Sequence, residues 1–219
     1  VHAVKIMSKI DMSIITICVK IPEIYNSEQN HPLFITAMID HNDFNNTWHI
    51  PLQKLSEPAI HVDVTVRGFT GGNLIGEASF FECLQWVREN YHIDEDRIYI
   101  MGLSNGGYAT WAISQNHPDL PAAIFPQGGF PFISNICNAS QIPVYTYMSD
   151  MDNVFAKNTK LLHRKLDLYG NYHEYYMPNM LHWHFLPYSI SSIILNEMLK
   201  HKRDFFRKEI GRASCRERV

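Results

Sequence analysis

The sequence has little of what marks a membrane-spanning, disulfide-rich or nucleic-acid-binding protein. No uninterrupted apolar run reaches about 18 residues, so no transmembrane helix is indicated. Only four of the 219 residues are cysteines. Cys18, Cys83 and Cys137 are too scattered to indicate a disulfide framework or a zinc site. The formal net charge of −3 gives no basic surface that suggests a nucleic-acid partner.

Both ends of the chain need separate interpretation. The sequence starts at Val1 rather than at a methionine and shows no secretory signal peptide, so we expect that it has lost its natural N-terminus. Residues 210–219 are similar to an in-frame translation of a common sequencing-library adapter, although a short basic tail is the alternative. We therefore expect one domain over residues 1–209 and an artefactual tail over 210–219. Neither the compartment nor the oligomeric state follows from the composition.

Strand and helix patterns alternate along the chain, in which 46% of the residues are hydrophobic. That content is enough to bury one sizeable core. Apolar and β-branched segments predict strands within residues 1–25 and over 33–39, 60–66, 97–101, 122–125, 143–148 and 173–177. Helices are predicted over 77–91, 105–117, 155–169 and 189–207, a loop over 40–57, and a turn at Asp94 and Asp96. This alternation predicts an α/β fold, with a mostly parallel central sheet and helices on both faces.

A G-x-S-x-G pattern occupies residues 102–106, between a predicted strand and a predicted helix. This context is what a nucleophile elbow requires. The serine of such an elbow lies on a strained turn, where Gly102 and Gly106 avoid the crowding that a Cβ would cause. We interpret Ser104 as a nucleophile and the backbone N–H of Asn105 as a donor to an oxyanion. The alternative is an ordinary serine in a glycine-rich turn.

Several further segments surround this motif. They are Arg67-Gly68, Gly76-Glu77-Ala78, Asp94-Glu95-Asp96-Arg97-Ile98-Tyr99, Asn116-His117-Pro118-Asp119 and Gly128-Gly129. With the elbow, they resemble the α/β-hydrolases, in particular the prolyl oligopeptidase family and its relatives among polyhydroxybutyrate-depolymerase-like and feruloyl-type esterases. The resemblance extends over about residues 60–207 and is weak before them. It implies the α/β-hydrolase fold and a Ser-His-Asp mechanism that needs no cofactor and no metal.

The resemblance also indicates which acid is expected to follow the strand at 143–148. In α/β-hydrolases the chain order is nucleophile, acid and then histidine. The related families have His-Gly-x-x-Asp-x-Val at this place, and Met148-Ser149 stands where they have His-Gly. Asp152 matches the family's aspartate. Asp150 is the alternative, although an Asx turn or a helix N-cap also explains an aspartate there.

The base is expected after the last strand, where relatives have a Gly-His pair. His182 matches that histidine, with Leu181 in place of the glycine, and His184 is the alternative. A metal site at His182 and His184 is not favoured, because no cysteine or acidic residue is nearby. Trp183 is predicted to contact substrate at the mouth of the cleft.

The loop expected to supply the second oxyanion donor departs from the family pattern. Relatives often have His-Gly and further glycines after the strand at 33–39, whereas this sequence has no glycine before Gly68. We expect the backbone N–H of Asp40 or His41 to serve, or a side chain of His41 or Asn42. Because Cβ atoms narrow the approach of substrate, this departure leaves the level of activity open.

The expected activity is acyl transfer on a carboxylic ester, with a small-molecule, peptide or carbohydrate ester as substrate. A serine peptidase of prolyl oligopeptidase type is the first alternative. Such peptidases usually have an N-terminal β-propeller, which is not in this sequence. A catalytically dead, hydrolase-like binding domain is the second alternative, and the glycine-free loop keeps it open.

Overall fold

The computed structural model describes residues 1–38, 51–68, 72–149, 151–152, 172–177, 179, 181–182 and 186–203. Eight strands lie in these ranges: β1 (His2–Met7), β2 (Ile14–Lys20), β3 (His31–Met38), β4 (Ile60–Thr65), β5 (Ile93–Leu103), β6 (Ala123–Gln127), β7 (Val144–Met148) and β8 (Tyr172–Tyr176). The helices are α1 (Ile75–Asn90), α2 (Asn105–Asn116) and α3 (Tyr188–Met198), with 3-10 helices at Leu52–Lys54 and Ile133–Ala139.

The eight strands form one sheet in the order β1-β2-β4-β3-β5-β6-β7-β8. β2 pairs antiparallel with both β1 and β4, and the other neighbouring strands pair in parallel. The predicted α/β fold with a mostly parallel sheet is therefore confirmed. Since parallel neighbours run the same way, the carboxyl ends of β3 to β8 meet at one edge of the sheet.

The sheet is covered on both faces, as its apolar strands predict. All eight residues of β3 are buried, because the strand lies between two parallel neighbours and under both layers. One face carries a core with apolar residues of α1 and α2 that include Phe80, Leu84 and Trp111. The core on the other face includes Ile194 and Leu195 of α3.

Two predicted boundaries were wrong. The turn expected at Asp94 and Asp96 lies inside β5, but the pairing with β3 skips residues 94–97, and Asp96 N–H donates to Asp94 Oδ1 at 3.1 Å. The local signal was therefore real, although the strand continues through it. α3 ends at Met198 rather than near residue 207. After the helix, Arg203 N–H donates to the Asp96 carbonyl at 2.7 Å.

Other predictions fall partly or wholly outside the described residues. The helix at 155–169 lies outside them, as does most of the loop at 40–57, whose described part contains the 3-10 helix Leu52–Lys54. Cys18 and Cys83 are buried free thiols.

Candidate active site

The strand–serine–helix turn lies at the carboxyl end of β5. The strand ends at Leu103 and α2 begins at Asn105, so Ser104 alone makes the turn. Its φ of 56° is in the left-handed region, which costs a non-glycine residue roughly 1–2 kcal/mol. The turn is held by its N–H, which donates to the Gln127 carbonyl at 2.8 Å, and by its carbonyl, which accepts from Tyr108 N–H at 3.0 Å. The Ser104 side chain makes no capping hydrogen bond to the helix, so its hydroxyl can serve another partner.

Three glycines allow α2 to start this close to the sheet. A Cβ on Gly102 would overlap the backbone of Gly106, and a Cβ on Gly106 would overlap the carbonyl of Ala37 in β3. A Cβ on Gly107 would come within 2.6 Å of the Gln127 carbonyl oxygen in β6. Backbone atoms cannot move aside as flexible side chains do, so a larger residue at any of these positions would displace the turn.

The structure brings Asp152 and His182 to Ser104. His182 Nε2 lies 2.9 Å from Ser104 Oγ, and His182 Nδ1 lies 3.0 Å from Asp152 Oδ2. Both partners are buried, with His182 4% exposed and Asp152 6% exposed. A proton on Nδ1 that is donated to Asp152 leaves the Nε2 lone pair to accept the serine hydroxyl. This is the geometry in which a histidine takes a proton from a nucleophile.

The three side chains come from the same edge of the sheet. Ser104 follows β5, Asp152 follows β7, and His182 follows β8. Burial and the charge of Asp152 raise the pKa of Tyr147, a residue of β7. A neutral phenol therefore stands near the aspartate.

Gly128 contributes to the site in a way that the sequence did not reveal. Its φ of 57° is left-handed, and a Cβ there would lie 3.0 Å from His182 Cε1 and 3.8 Å from Asp152 Oδ2. A glycine at this position leaves the space in which the imidazole sits. In the sequence, Gly128 had served only as part of a family pattern. The available signal was its position directly after β6, the strand that pairs with β5 beside the elbow.

Asn105 opens α2, and its side chain is already committed. Asn105 Nδ2 donates to the carbonyl of Gly68 at 2.7 Å, and the residue is 8% exposed. The first N–H groups of a helix have no intrahelical partner and lie at the positive end of the helix dipole. The backbone N–H of Asn105, rather than its side-chain amide, is therefore the group suited to stabilise an oxyanion.

The other predicted site residues lie outside the described residues. These are the oxyanion candidates Asp40 and His41, with Asn42, the substrate candidate Trp183, and the alternatives Asp150 and His184. Within the described ranges, no group of three or more His, Cys, Asp or Glu side chains is arranged to hold a metal ion. No helix in the same ranges has the length and apolarity needed to cross a membrane.

The sheet and the serine turn define a class. A mostly parallel sheet with a serine on a sharp strand–helix turn is the α/β-hydrolase fold, so this predicted fold is confirmed. Residues 76–184 match the model of a family described as the prolyl oligopeptidase family. The predicted resemblance to this family is thus confirmed.

Solved structures share the fold at low sequence identity. A thermostable esterase superposes with a TM-score of 0.79 at 19% identity, covering 92% of this chain. The feruloyl esterase module from Clostridium thermocellum gives 0.69 at 16% identity, covering 91% of this chain and 87% of the module. A putative dipeptidyl aminopeptidase IV from Bacteroides ovatus gives 0.75 at 10% identity, covering 91% of this chain. This chain spans 63% of the thermostable esterase and 35% of the putative aminopeptidase. No curated protein matches it in sequence.

Proposed function

We propose that this protein hydrolyses carboxylic esters through an acyl-enzyme on Ser104. The observation that carries the proposal is the continuous contact from Ser104 Oγ through the His182 ring to Asp152. A serine hydroxyl is a poor nucleophile at neutral pH, and an adjacent base oriented by a carboxylate activates it. The burial of His182 and Asp152 keeps the imidazole in one orientation.

The proposed reaction has two balanced halves. His182 Nε2 takes the Ser104 proton while Oγ attacks the carbonyl carbon, whose oxygen becomes an oxyanion. The Asn105 N–H stabilises that oxyanion, together with a second donor that we assign to the backbone of Asp40 or His41. Collapse expels the alcohol, which leaves with the proton from His182. Water then attacks the carbonyl carbon of the acyl-enzyme and gives its proton to His182. Collapse of the second tetrahedral intermediate releases the acid, and His182 returns the proton to Ser104 Oγ.

Two considerations favour an ester over a peptide. Several esterases have a similar fold, and one of them, the feruloyl esterase module, was solved with sinapinate. The alkoxy oxygen of an ester also leaves a tetrahedral intermediate more readily than an amide nitrogen, which must first be fully protonated, so ester cleavage demands less of the oxyanion hole. A hole without glycine is therefore better matched to esters. The substrates that we expect are small esters and acylated carbohydrates, with Trp183 at the mouth of the cleft.

A serine peptidase is the second candidate. The family model that matches residues 76–184 is named after a peptidase, prolyl oligopeptidase. A putative dipeptidyl aminopeptidase also has a similar fold. The same Ser104, His182 and Asp152 would then cleave an amide bond.

Labelling by a fluorophosphonate probe tests the nucleophile, with Ser104→Ala as the variant and Ser114→Ala as the matched control. Ser114 lies on the same helix, is buried, and its Oγ has no hydrogen-bond partner. We expect the wild type and Ser114→Ala to be labelled and to cleave p-nitrophenyl esters. Ser104→Ala should lose labelling and several orders of magnitude in kcat. If a folded wild type takes no label, the catalytically dead binding domain becomes the better interpretation.

The substrate class needs a direct comparison on one preparation. We expect kcat/KM for p-nitrophenyl and hydroxycinnamoyl esters to exceed that for an aminoacyl-prolyl p-nitroanilide. The reverse order would overturn the ester proposal in favour of the peptidase.

A further inference from the structure

A strained backbone segment beside the elbow is held by one arginine. Val66 N–H donates to the Met38 carbonyl at 2.8 Å, and the chain then turns through two left-handed residues, Arg67 with φ 54° and Gly68 with φ 70°. The conformation is natural for glycine but strained for arginine. Such strain persists only where the surroundings fix it.

The Arg67 side chain supplies that fixation. Its Nε donates to Ser79 Oγ on α1, and its Nη1 donates to Asp11 Oδ2 at 2.5 Å in the turn between β1 and β2. Nη2 lies 4.0 Å from Glu82 Oε2, also on α1. Hydrogen bonds from Ser13, followed by the bond from Arg67, lower the pKa of Asp11 to about 2. The carboxylate is therefore charged at any ordinary pH.

The segment that Arg67 holds touches the candidate oxyanion hole at one point. The Gly68 carbonyl accepts a hydrogen bond from Asn105 Nδ2 at 2.7 Å. Among the described residues, no atom lies within 4 Å of where a Cβ on Gly68 would be. Among the described contacts, the preceding Arg67 and the bonded Asn105 are what set the place of that carbonyl.

We infer that Arg67 is a positioning residue, which through the Gly68 carbonyl and the Asn105 side chain aims the Asn105 N–H at the oxyanion. This inference rests on the proposed function, since it assigns a task to the same oxyanion donor. The fork of a guanidinium can hold α1 and the β1–β2 turn at once, whereas a lysine has a single ammonium. This role explains why the Asn105 side chain bonds to the backbone carbonyl of Gly68 rather than to substrate.

The test is a double-variant cycle on ester hydrolysis. Arg67→Ala should lower kcat about 10-fold with KM changed less than about twofold, because the oxyanion forms only in the transition state. Affinity for a trifluoromethyl ketone that mimics the tetrahedral intermediate should fall by a similar factor. Arg67→Lys should lie between Arg67→Ala and the wild type. In an Asn105→Ala background, which already lacks the link, Arg67→Ala should add less than about a twofold loss.

Arg88→Ala is the matched control for losing an arginine ion pair. Arg88 is on α1 and pairs with Glu95 through Nε at 2.8 Å and Nη2 at 2.7 Å, away from the elbow. It should leave kcat and analogue affinity unchanged. A purely structural Arg67 would lower Tm without the kcat-specific loss, or its effect would multiply with that of Asn105→Ala, and either result overturns the inference. If the wild type neither cleaves esters nor binds the ketone, the proposed function fails as well, so the two failures are distinguishable.

Discussion

The part of the chain that the structure describes contains two sets of a hydroxyl, a histidine and an aspartate, and they differ in what they can do. The first is Ser104, His182 and Asp152. In the second, His61 Nε2 lies 2.7 Å from Thr36 Oγ1 and 3.1 Å from Asp63 Oδ1. The distances in the two sets are nearly the same. Composition and proximity alone therefore do not identify a catalytic group.

The ring nitrogens make the difference. His182 uses Nε2 for the serine and Nδ1 for the aspartate, so a proton can arrive on one side while the other side is oriented. His61 has both neighbours on Nε2, and its buried Nδ1 has no hydrogen-bond partner among the described residues. Asp63 is also paired with Lys20, Oδ2 to Nζ, at 3.0 Å. The second set has no path for a proton and no uncompensated carboxylate.

The positions of the two sets in the sheet explain why they differ in what they can do. His61 and Asp63 lie inside β4, with Thr36 paired to Asp63 from β3, and all three are fully buried. The members of the first set follow the carboxyl ends of their strands, where parallel α/β sheets bind ligands. A polar set in the middle of a sheet stabilises strands, whereas one at the edge can meet a substrate.

The largest expected effect breaks the first set. Asp152→Asn keeps the shape of the side chain but removes the charge that orients His182 and stabilises its protonated form. We expect kcat for ester hydrolysis to fall roughly 10⁴-fold, with Tm changed little. Steady-state kinetics beside a melting curve checks both. The larger loss appearing in Asp150→Asn instead would show that the acid was assigned wrongly.

The second set should respond in stability rather than in activity. Asp63→Leu removes the carboxylate that lies 3.0 Å from the Lys20 ammonium, whose side chain is 10% exposed. We expect the free energy of unfolding in urea to fall by about 3 kcal/mol. Lys20→Met together with Asp63→Leu removes both charges and should recover most of that loss. If Asp63→Leu alone is as stable as the wild type, Asp63 and Lys20 do not form a buried ion pair that matters for stability. If its kcat falls strongly, the second set is not limited to a structural role.

The smallest effect is a pH dependence of stability. Burial lowers the pKa of His61 below its ordinary value, although the nearby Asp63 acts in the opposite direction. The neutral ring fits the contacts, because a protonated Nδ1 would have no acceptor. Between the folded pKa and the unfolded value of about 6.5, only the unfolded chain binds the proton. Stability should therefore fall as pH decreases below about 6.5, by up to roughly 1.4 kcal/mol per pH unit.

Urea denaturation between pH 5 and pH 8 measures this dependence, with His61→Asn as the comparison. The variant should lose the part of the slope that His61 contributes. An unchanged slope would mean that His61 is protonated equally in the folded and unfolded chains. Asp63, whose pKa is also lowered, acts in the same direction but only at more acidic pH, as its own carboxylate becomes protonated.

Sequence reasoning went furthest where the signal was local. The elbow occupies residues 102–106, and its glycines and flanking elements lie within a few positions of one another. β3 is a mostly apolar segment, and β4 alternates apolar with polar residues, so the type of each strand is set by its own residues. The turn at Asp94 was misjudged because the strand continues through it and pairs with β3 on both sides. The end of α3 was misjudged because the chain beyond it bonds to Asp96 instead of continuing the helix.

The sequence by itself determined the fold class and the candidate nucleophile, since both depend on short patterns of apolar residues and glycines. Only the tertiary structure decided what meets Ser104. His182 lies 78 residues after Ser104 and 30 residues after Asp152, and Arg67 reaches Asp11 across 56 residues. Such contacts depend on the order of strands in the sheet, because that order decides which loops come together at its carboxyl edge. A linear pattern does not contain that information.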